Sequence, residues 1–427
     1  MKITPEWRVY VLGATLCVAL TICARNFGDR GGPYFMASLT LAGIAYLSAV
    51  REFFATPGFS RRVVVIGLVL AVVWRVEFLR VPAGADDDIH RYVWDGRLQR
   101  LGYNPYLVVP SDPAAKGLHT PETRSLNNPD LPSPYPAGAQ LFFRAVTAIH
   151  ESTFAFKVAF VVCEFAIVFV LLDLLRRKQG AHLVLAFAWN PLLAIEVAGS
   201  GHIDIVGALL LSVSVAALVR RWRATAAVAL GLAVAVKLLP VVLLPLYWKR
   251  VRIRDAVLAA AVVALLYVPF LNRGNIPIGS LGTYVQTFRF NGPVFALLAR
   301  VAPPQLLAGL AVLVGLATAT WLRSVEPDWP PESFAWPMAA SLLCAPAVFP
   351  WYLLGLLPFL TSPSTLLIII WTVSIIPTYV QWHLRTLGRP WGPLPGWVMV
   401  LEYGCLAAAG ATIALRGRIL PAAPDNH

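Results

Sequence analysis

The chain has 427 residues, of which 58% are hydrophobic and 13% charged, and its net charge is +13. Average soluble domains carry about 25% charged residues, so this composition excludes a soluble domain and predicts an integral membrane protein. The positive charge does not indicate a nucleic-acid partner, because the basic residues form short clusters between apolar runs. Such clusters are typical of cytoplasmic loops.

Apolar runs long enough to cross a bilayer recur along the whole chain. A crossing helix needs about 20 such residues, so the runs predict an all-α, polytopic fold of about 11–14 transmembrane helices, forming a single membrane domain over 1–427. Proline ends or kinks a helix, and it subdivides two of the runs, at Pro303-Pro304 and at Pro350. The predicted runs are 8–24, 33–50, 63–81, 154–175, 181–198, 202–219, 224–248, 255–271, 292–322, 335–361, 363–381 and 395–415.

Basic clusters predict the orientation of these runs, since Lys and Arg concentrate in cytoplasmic loops. We therefore expect both termini to be cytoplasmic and the segment 82–153, which lacks such a cluster, to form a large outer loop. Within that loop, 138–150 has the pattern of an amphipathic helix at the membrane surface. The predicted cytoplasmic clusters are 51–62, 176–178, 220–223, 249–254 and 416–418.

The run 224–248 has basic clusters at both ends. A single crossing would place one cluster outside, so we predict a hairpin broken near Leu239-Pro240, with Lys237 close to its tip. Non-helical backbone at this depth is tolerated where protein or a wet cavity surrounds it. An ionisable residue inside a membrane is a functional candidate, although a lysine can also reach the surface along its own methylene chain.

The chain has three consecutive carboxylates, Asp86, Asp87 and Asp88. They precede Arg91 and the aromatic residues Tyr92 and Trp94. A carboxylate near hydrocarbon is costly unless water, a cation or a partner meets it. A single acid there would only flank a helix end, and we expect this of Asp86. The run of three at the start of a polar loop favours a reaction centre at the membrane surface.

Polar residues interrupt the apolar pattern at other places. A glycine-rich turn carries His202 and Asp204, which predict either a structural helix end or a lined polar cavity. The loop 272–292 contains Arg289, whose planar guanidinium suits phosphate oxygens, although a solvated loop explains it equally well. Trp351 lies in an aromatic group that an interfacial belt would also explain.

These residues resemble a known family. The block from Asp87 to Gly96, followed by Gly102 to Tyr106, is similar to the first outer loop of polyprenyl-phosphate-mannose-dependent mannosyltransferases with the GT-C fold, nearest to the bacterial lipoglycan mannosyltransferases. The chain departs from that pattern at Ala137, where a second proline is expected, and at Ile203, where asparagine is usual. Further blocks agree in order at 128–136, 190–202, 237–240 and 350–354.

The resemblance implies an inverting glycosyltransferase in the plasma (inner) membrane, with amphipathic helices in the first large outer loop. It would move a sugar from a polyprenyl-phosphate donor to a lipid-linked or glycan acceptor at the outer face, and mannose is the first choice for that sugar. No cofactor and no metal are expected, and the partners are the donor, the acceptor and the bilayer. A secondary transporter is the alternative, although its ionisable residues would line a path at mid-membrane; a non-catalytic membrane scaffold is a third reading.

The resemblance also implies roles for particular residues. Asp87 is the first choice as the general base that deprotonates the acceptor, and Asp88 is the second. The donor phosphate would be met by cations, and the sugar or acceptor by aromatic and polar side chains. The predicted phosphate-binding residues are Arg91, Lys237 and Arg289, and the predicted sugar- or acceptor-binding residues are Tyr92, Trp94, Asn104, Tyr135, His202, Asp204 and Trp351.

Overall fold

The computed structural model describes residues 4–84, 87–176, 179–272, 277–325, 330–392 and 394–419, and within these ranges it is helical, with one isolated bridge between Phe290 and Ala347. Asp86 of the acid motif and Arg177 and Lys178 of a basic cluster lie outside the described residues. The first helices are α1 (Pro5–Arg25), α2 (Pro33–Ala55), α3 (Arg61–Leu79), α4 (Asp88–Arg100), α5 (Ala137–Ile149), α6 (Thr153–Arg176), α7 (Val184–Ala188), a π-helix (Leu193–Gly199), α8 (Asp204–Val219) and α9 (Arg223–Val236).

The second half continues in the same manner, with more breaks. Its helices are α10 (Leu244–Tyr247), α11 (Ile253–Tyr267), α12 (Leu281–Thr287), α13 (Pro293–Leu298), α14 (Pro304–Val325), α15 (Ala335–Leu343), α16 (Leu366–Ser374), α17 (Val380–Thr386) and α18 (Gly396–Ile419). The 3-10 turns are Phe27–Asp29, Pro113–Leu118, Pro121–Thr123, Ala181–Leu183, Leu239–Leu243, Val268–Phe270, Pro331–Phe334, Pro350–Gly355, Leu357–Phe359, Pro363–Thr365 and Ile376–Tyr379.

The chain is a multi-pass membrane protein, as predicted. Among the described residues, seven helical stretches are long and apolar enough to cross a membrane, or eight if the pair bent by 65° at 181–199 counts as one span. This is fewer than the sequence predicted, because some apolar runs fold into short helices: α8 and α9 have 16 and 14 residues, and at about 1.5 Å per residue neither reaches 30 Å. The seven are Pro5–Arg25, Pro33–Ala55, Thr153–Arg176, Ile253–Phe270, Pro304–Val325, Pro363–Thr386 and Gly396–Leu415.

The predicted hairpin at 224–248 is confirmed. Helix α9 ends directly before Lys237, whose backbone is extended, with φ −141° and ψ 132°. Arg223 at the start of α9 and Arg252 beyond α10 line one cleft, so the chain returns to the side from which it came. The returning half is a 3-10 turn followed by the four-residue α10 rather than a half-helix, since Pro240 and Pro245 begin these elements and lack an N–H.

The predicted proline breaks are also present. Helix α13 stops before Pro303-Pro304, and α14 begins at the second of these prolines. Helix α15 already ends at Leu343, and Pro350 starts a 3-10 turn that carries Trp351. This second break is therefore wider than a kink, and it places non-helical backbone beside the cavity described below.

Helices α4 and α5 pack tightly against each other, and α5 corresponds to the predicted amphipathic segment. Between them Asp95 is buried, accepts hydrogen bonds from Ser133 and Gln140, and pairs with Arg91 at 3.2 Å. Burial raises the pKa of the Asp95 carboxyl, while the Arg91 guanidinium opposes that shift. The network fixes α4 to the following loop and so positions the first turn of α4.

Gly96 makes this packing possible. A Cβ at Gly96 would lie 2.5 Å from the backbone oxygen of Phe143, so Gly96→Ala must push α4 away from α5. We expect the free energy of unfolding to fall by about 1–3 kcal/mol, the usual cost of overpacking, as measured by thermal or denaturant unfolding in detergent micelles. The control is Gly117→Ala, where a Cβ meets nothing within 4 Å; equal stability of the two variants would contradict this packing.

Candidate active site

A cavity of about 260 Å³ lies where several chain breaks meet. Its walls come from the first turn of α4, the loop before α5, the start of α8, the tip of the hairpin and the turn after Phe349. The lining residues include Asp88, Arg91, Asn127, Asn128, Tyr135, Asp204, Gly207, Ala208, Leu211, Lys237, Leu238, Leu239, Ser280, Tyr284, Met338, Leu342, Trp351 and Tyr352.

The lining changes from charged to apolar along α8. Asp204 opens this helix, and Gly207, Ala208 and Leu211 follow on the same face at helical spacing. At about 1.5 Å per residue, the stretch from Asp204 to Leu211 is about 10 Å long. The cavity therefore joins a polar region that suits a charged or hydroxyl-bearing group to an apolar wall that suits hydrocarbon.

The two described acids of the motif face different surroundings. Asp87 is buried and pairs with the Arg30 guanidinium at 2.7 Å, and its second oxygen accepts from the backbone N–H of Gly84 at 2.8 Å. Asp88, the first residue of α4, lines the cavity and accepts a hydrogen bond from the Asn127 amide at 2.5 Å. Of the two, Asp88 is the carboxylate that a cavity ligand can reach.

Lys237 and Arg91 bring positive charge to the cavity wall. The Lys237 Nζ lies 3.1 Å from Asp204 Oδ1 and 4.8 Å from the centre of the Tyr352 ring. Arg91 donates to the carbonyl oxygen of Leu131 at 2.6 Å, besides its pairing with Asp95. Lys237 thus presents an ammonium group to the cavity, while Arg91 also holds the loop that forms one wall.

Tyrosine hydroxyls add hydrogen-bonding groups to this lining. Burial raises the pKa of both Tyr135 and Tyr284 above the ordinary value, and the negative charge of Asp88 raises it further. The phenols are therefore neutral and can donate. Trp351 also lines the cavity, and its ring stacks on His202 at 4.0 Å and on Phe349 at 4.5 Å between centroids.

Several predicted site residues lie elsewhere. His202 is buried behind Trp351 and pairs with the Glu196 carboxylate at 2.9 Å. Arg289 does not line this cavity; its guanidinium donates to carbonyl oxygens of 285–288, including that of Gln286 at 2.7 Å, and lies over the Phe295 ring. The Arg289 guanidinium therefore caps the end of α12 and does not point at a phosphate site in this cavity.

Three predicted sugar-binding residues make structural contacts instead. Tyr92 is fully buried and stacks on Phe143 at 4.5 Å. Trp94 is buried against His119 at 4.2 Å. Asn104 donates to the carbonyl oxygen of Phe270 at 2.9 Å, which fixes the loop after α4. None of these three side chains lines the cavity described here.

Sequence reasoning missed two partners of the acid motif, Asn127 and Arg30. Asn127 directly precedes the Asn-Pro-Asp block and gave no separate signal. Arg30 had one, because it lies in a short connection between the first two apolar runs, on the side opposite the basic clusters. An arginine on that side departs from the positive-inside pattern and points to an acidic partner.

The part of the chain that the structure describes contains no group of three or more His, Cys, Asp or Glu side chains arranged to hold a metal ion. Asp86 is outside that part. The expectation that no metal is needed therefore stays a prediction.

Comparisons with known proteins identify the family. A family model described as alpha-(1->6)-mannopyranosyltransferase, N-terminal domain, matches residues 22–251, more than half of the chain, and this range holds Asp88, Asp204 and Lys237. Among solved structures, ArnT from Cupriavidus metallidurans bound to undecaprenyl phosphate matches over 86% of this chain and 67% of its own, with 16% sequence identity and a TM-score of 0.47. No curated protein matches.

The Arg30–Asp87 ion pair yields a stability prediction. Both side chains are nearly fully buried, so removal of one partner leaves an unpaired charge, which typically costs about 3–5 kcal/mol. We expect Arg30→Ala and Asp87→Ala each to lower the unfolding midpoint strongly, and the double variant to lose much less than the sum. The measurement is the unfolding midpoint, in micelles, of the parent, the two single variants and the double variant. Additive losses would show that the two groups do not interact.

Proposed function

Because the chain belongs to the alpha-(1->6)-mannopyranosyltransferase family and is thus a glycosyltransferase, we propose that it moves a mannose residue from a polyprenyl-phosphate donor to a lipid-linked or glycan acceptor at the extracytoplasmic face of the plasma (inner) membrane. One observation carries the proposal. A single cavity combines a reachable carboxylate, an ammonium group and an apolar wall, and these are the three things that transfer from a lipid phosphate needs.

Asp88 is the general base in this proposal. The acceptor hydroxyl oxygen attacks the anomeric carbon, the bond from that carbon to the phosphate oxygen breaks, and its electron pair stays on the phosphate. The hydroxyl proton passes to Asp88. Asp88 suits this role better than Asp87, which the sequence favoured, because its partner in the fold is the neutral Asn127 amide, whereas Asp87 is neutralised by Arg30.

Lys237 stabilises the leaving phosphate. Negative charge grows on the phosphate as the sugar departs, and a positioned cation lowers the energy of that transition state. Tyr284 and Tyr352 also line the cavity, and the Tyr352 ring lies 4.8 Å from the Lys237 Nζ, so their hydroxyls can add hydrogen bonds to the phosphate oxygens. Arg91 contributes positive charge at a second wall, although part of its guanidinium is already bound to the loop and to Asp95.

The sugar and the prenyl chain take the remaining surfaces. Trp351 contributes the exposed part of its indole to the cavity wall, where the sugar ring can contact it, and stacking on His202 and Phe349 holds the indole in place. The prenyl chain follows the apolar face of α8 from Gly207 to Leu211 and the neighbouring Leu238. Leu238 is 42% exposed, which supports an opening of the cavity toward lipid there.

The orientation follows from the hairpin. Its two ends carry the arginines of one cleft, Arg221, Arg223, Arg252 and Arg254, and such clusters mark the cytoplasmic side. Lys237 is at the opposite end of α9 and lines the cavity. These positions support a cavity that opens away from the cytoplasm, with the segment 82–153 on the same side.

The decisive variant is Asp88→Asn. Loss of a general base typically lowers the rate by about 10²–10⁴-fold, and the amide is nearly isosteric, so the protein should still fold. The assay is sugar transfer from a polyprenyl-phosphate sugar into membrane acceptors. Asp112→Asn is the control, because this exposed residue caps a 3-10 turn, a task that Asn performs equally well.

Asp88→Asn activity within a few-fold of the parent would remove Asp88 as the base. If Asp87→Asn were inactive yet stably folded in the same assay, the role would return to Asp87. Parent-like rates in both variants would reopen the secondary-transporter alternative.

The orientation has its own test. We expect single cysteines replacing Ser111 and Ser125, in a background without the native cysteines, to react with a membrane-impermeant thiol reagent in whole cells, because both positions are exposed and lie in the proposed extracytoplasmic segment. Ser60→Cys, in the connection before α3, should react only after the membrane is opened. The reverse labelling pattern would place the cavity on the cytoplasmic side.

A further inference from the structure

Asp204, which lines the cavity, has an acceptor oxygen without a partner among the described residues. Its side chain is 6% exposed, and Oδ1 holds Lys237 at 3.1 Å. Oδ2 is buried and has no hydrogen-bond partner among the residues that the structure describes. A buried acceptor without a partner is costly, so a carboxylate oxygen held in a cavity wall points to a hydrogen-bond donor supplied by the ligand.

An acid next to the phosphate-binding lysine is unexpected for a site that only had to bind phosphate. Counted as ionised, the lining residues Lys237 and Arg91 give two positive charges and Asp88 and Asp204 give two negative charges, a net charge of zero. Each cation also has an acidic partner, Asp204 for Lys237 and Asp95 for Arg91. The lining therefore has no excess positive charge with which to hold a phosphate that carries two negative charges.

The donor and the product of the proposed reaction differ in this respect. A polyprenyl-phosphate sugar is a phosphodiester with one negative charge, whereas the bare polyprenyl phosphate left after transfer is a monoester whose second ionisation lies near pH 6. The product thus carries nearly two negative charges at neutral pH. It has also lost the sugar hydroxyls that could donate to Oδ2.

We propose that Asp204 discriminates the sugar-loaded lipid from the bare lipid phosphate. Oδ2 accepts a hydrogen bond from a hydroxyl of the transferred sugar, and the carboxylate charge repels the more highly charged product. Asp204 is in this way a specificity-determining residue that favours donor entry and product release. The inference rests on the proposed function and adds to it a reason why the site contains an acid that is not the base.

The test is product inhibition in Asp204→Asn. The amide keeps the size and one oxygen acceptor but removes the charge. Coulomb interaction over a few ångströms at a protein-like dielectric predicts that bare polyprenyl phosphate inhibits this variant at least about tenfold more strongly than the parent, while the donor KM changes much less. An inhibition constant that stays the same or rises would overturn the proposal.

Two further variants separate the effect of the Asp204 charge from the effects of side-chain geometry and of losing the phosphate cation. Asp204→Glu keeps the charge but displaces Oδ2, so it should raise the donor KM without stronger product inhibition; stronger inhibition here would contradict the charge argument. Lys237→Gln should weaken both donor use and product inhibition, unlike Asp204→Asn. Parent-like behaviour of Lys237→Gln would also overturn the proposal, since Asp204 would then have no phosphate cation to balance.

A direct binding measurement separates this inference from the proposed function. Thermal stabilisation of each purified protein by bare polyprenyl phosphate needs no turnover, and Asp204→Asn should be stabilised at lower lipid concentration than the parent. If the parent transfers no sugar from a polyprenyl-phosphate donor, the proposed function fails. If the parent transfers sugar but Asp204→Asn binds the bare lipid phosphate no more tightly, this inference alone fails.

Discussion

A charge held inside an apolar protein must be compensated, and this constraint organises the molecule. Burial of an unpaired ion costs several kcal/mol or more, and buried ion pairs accordingly recur through the fold. Asp88 is different, because it accepts from a neutral amide and faces a cavity. Its charge is thereby left available to an incoming ligand. Buried pairs among the described residues include Arg75–Glu164, Arg30–Asp87 and Arg91–Asp95, and Lys237–Asp204 is a partly exposed pair at the cavity wall.

The pairs also explain how distant segments assemble one site. Arg30 comes from the connection after α1 and bonds both Asp87 and the Ser200 hydroxyl at 2.7 Å. It therefore fixes the start of α4 relative to the turn that precedes Asp204. The Lys237–Asp204 pair then attaches the tip of the hairpin to α8. The cavity lies where helices stop, because irregular backbone is tolerated only where protein or a wet cavity surrounds it.

Local signals in the sequence predicted much of this architecture. Hydropathy located the apolar runs, proline located the breaks, and two basic clusters flanking one run predicted the hairpin with Lys237 at its tip. Each of these depends on neighbouring residues only. The predicted number of crossings exceeds the seven long apolar stretches among the described residues, because hydropathy alone does not distinguish a long spanning helix from a short apolar helix such as α8.

The roles of individual side chains depended on contacts that sequence does not show. Asp87 and Asp88 are adjacent and chemically equal, and only Arg30, far away in the chain, separates their environments. Tertiary packing separates the rest: Asp88 and Arg91 line the cavity, whereas Tyr92, which shares their helix face, and Trp94 are buried in the core. A motif thus indicated the right segment without indicating which of its side chains meet a ligand.

The shortness of the apolar face on α8 has a consequence for how a lipid is chosen. From Asp204 to Leu211 the wall extends about 10 Å, far less than an extended polyprenyl chain. In the proposed function, only the isoprene units next to the phosphate lie against this face of α8, and the rest of the prenyl chain extends beyond it. This face would then distinguish donors by their head group and not by the length of the prenyl chain.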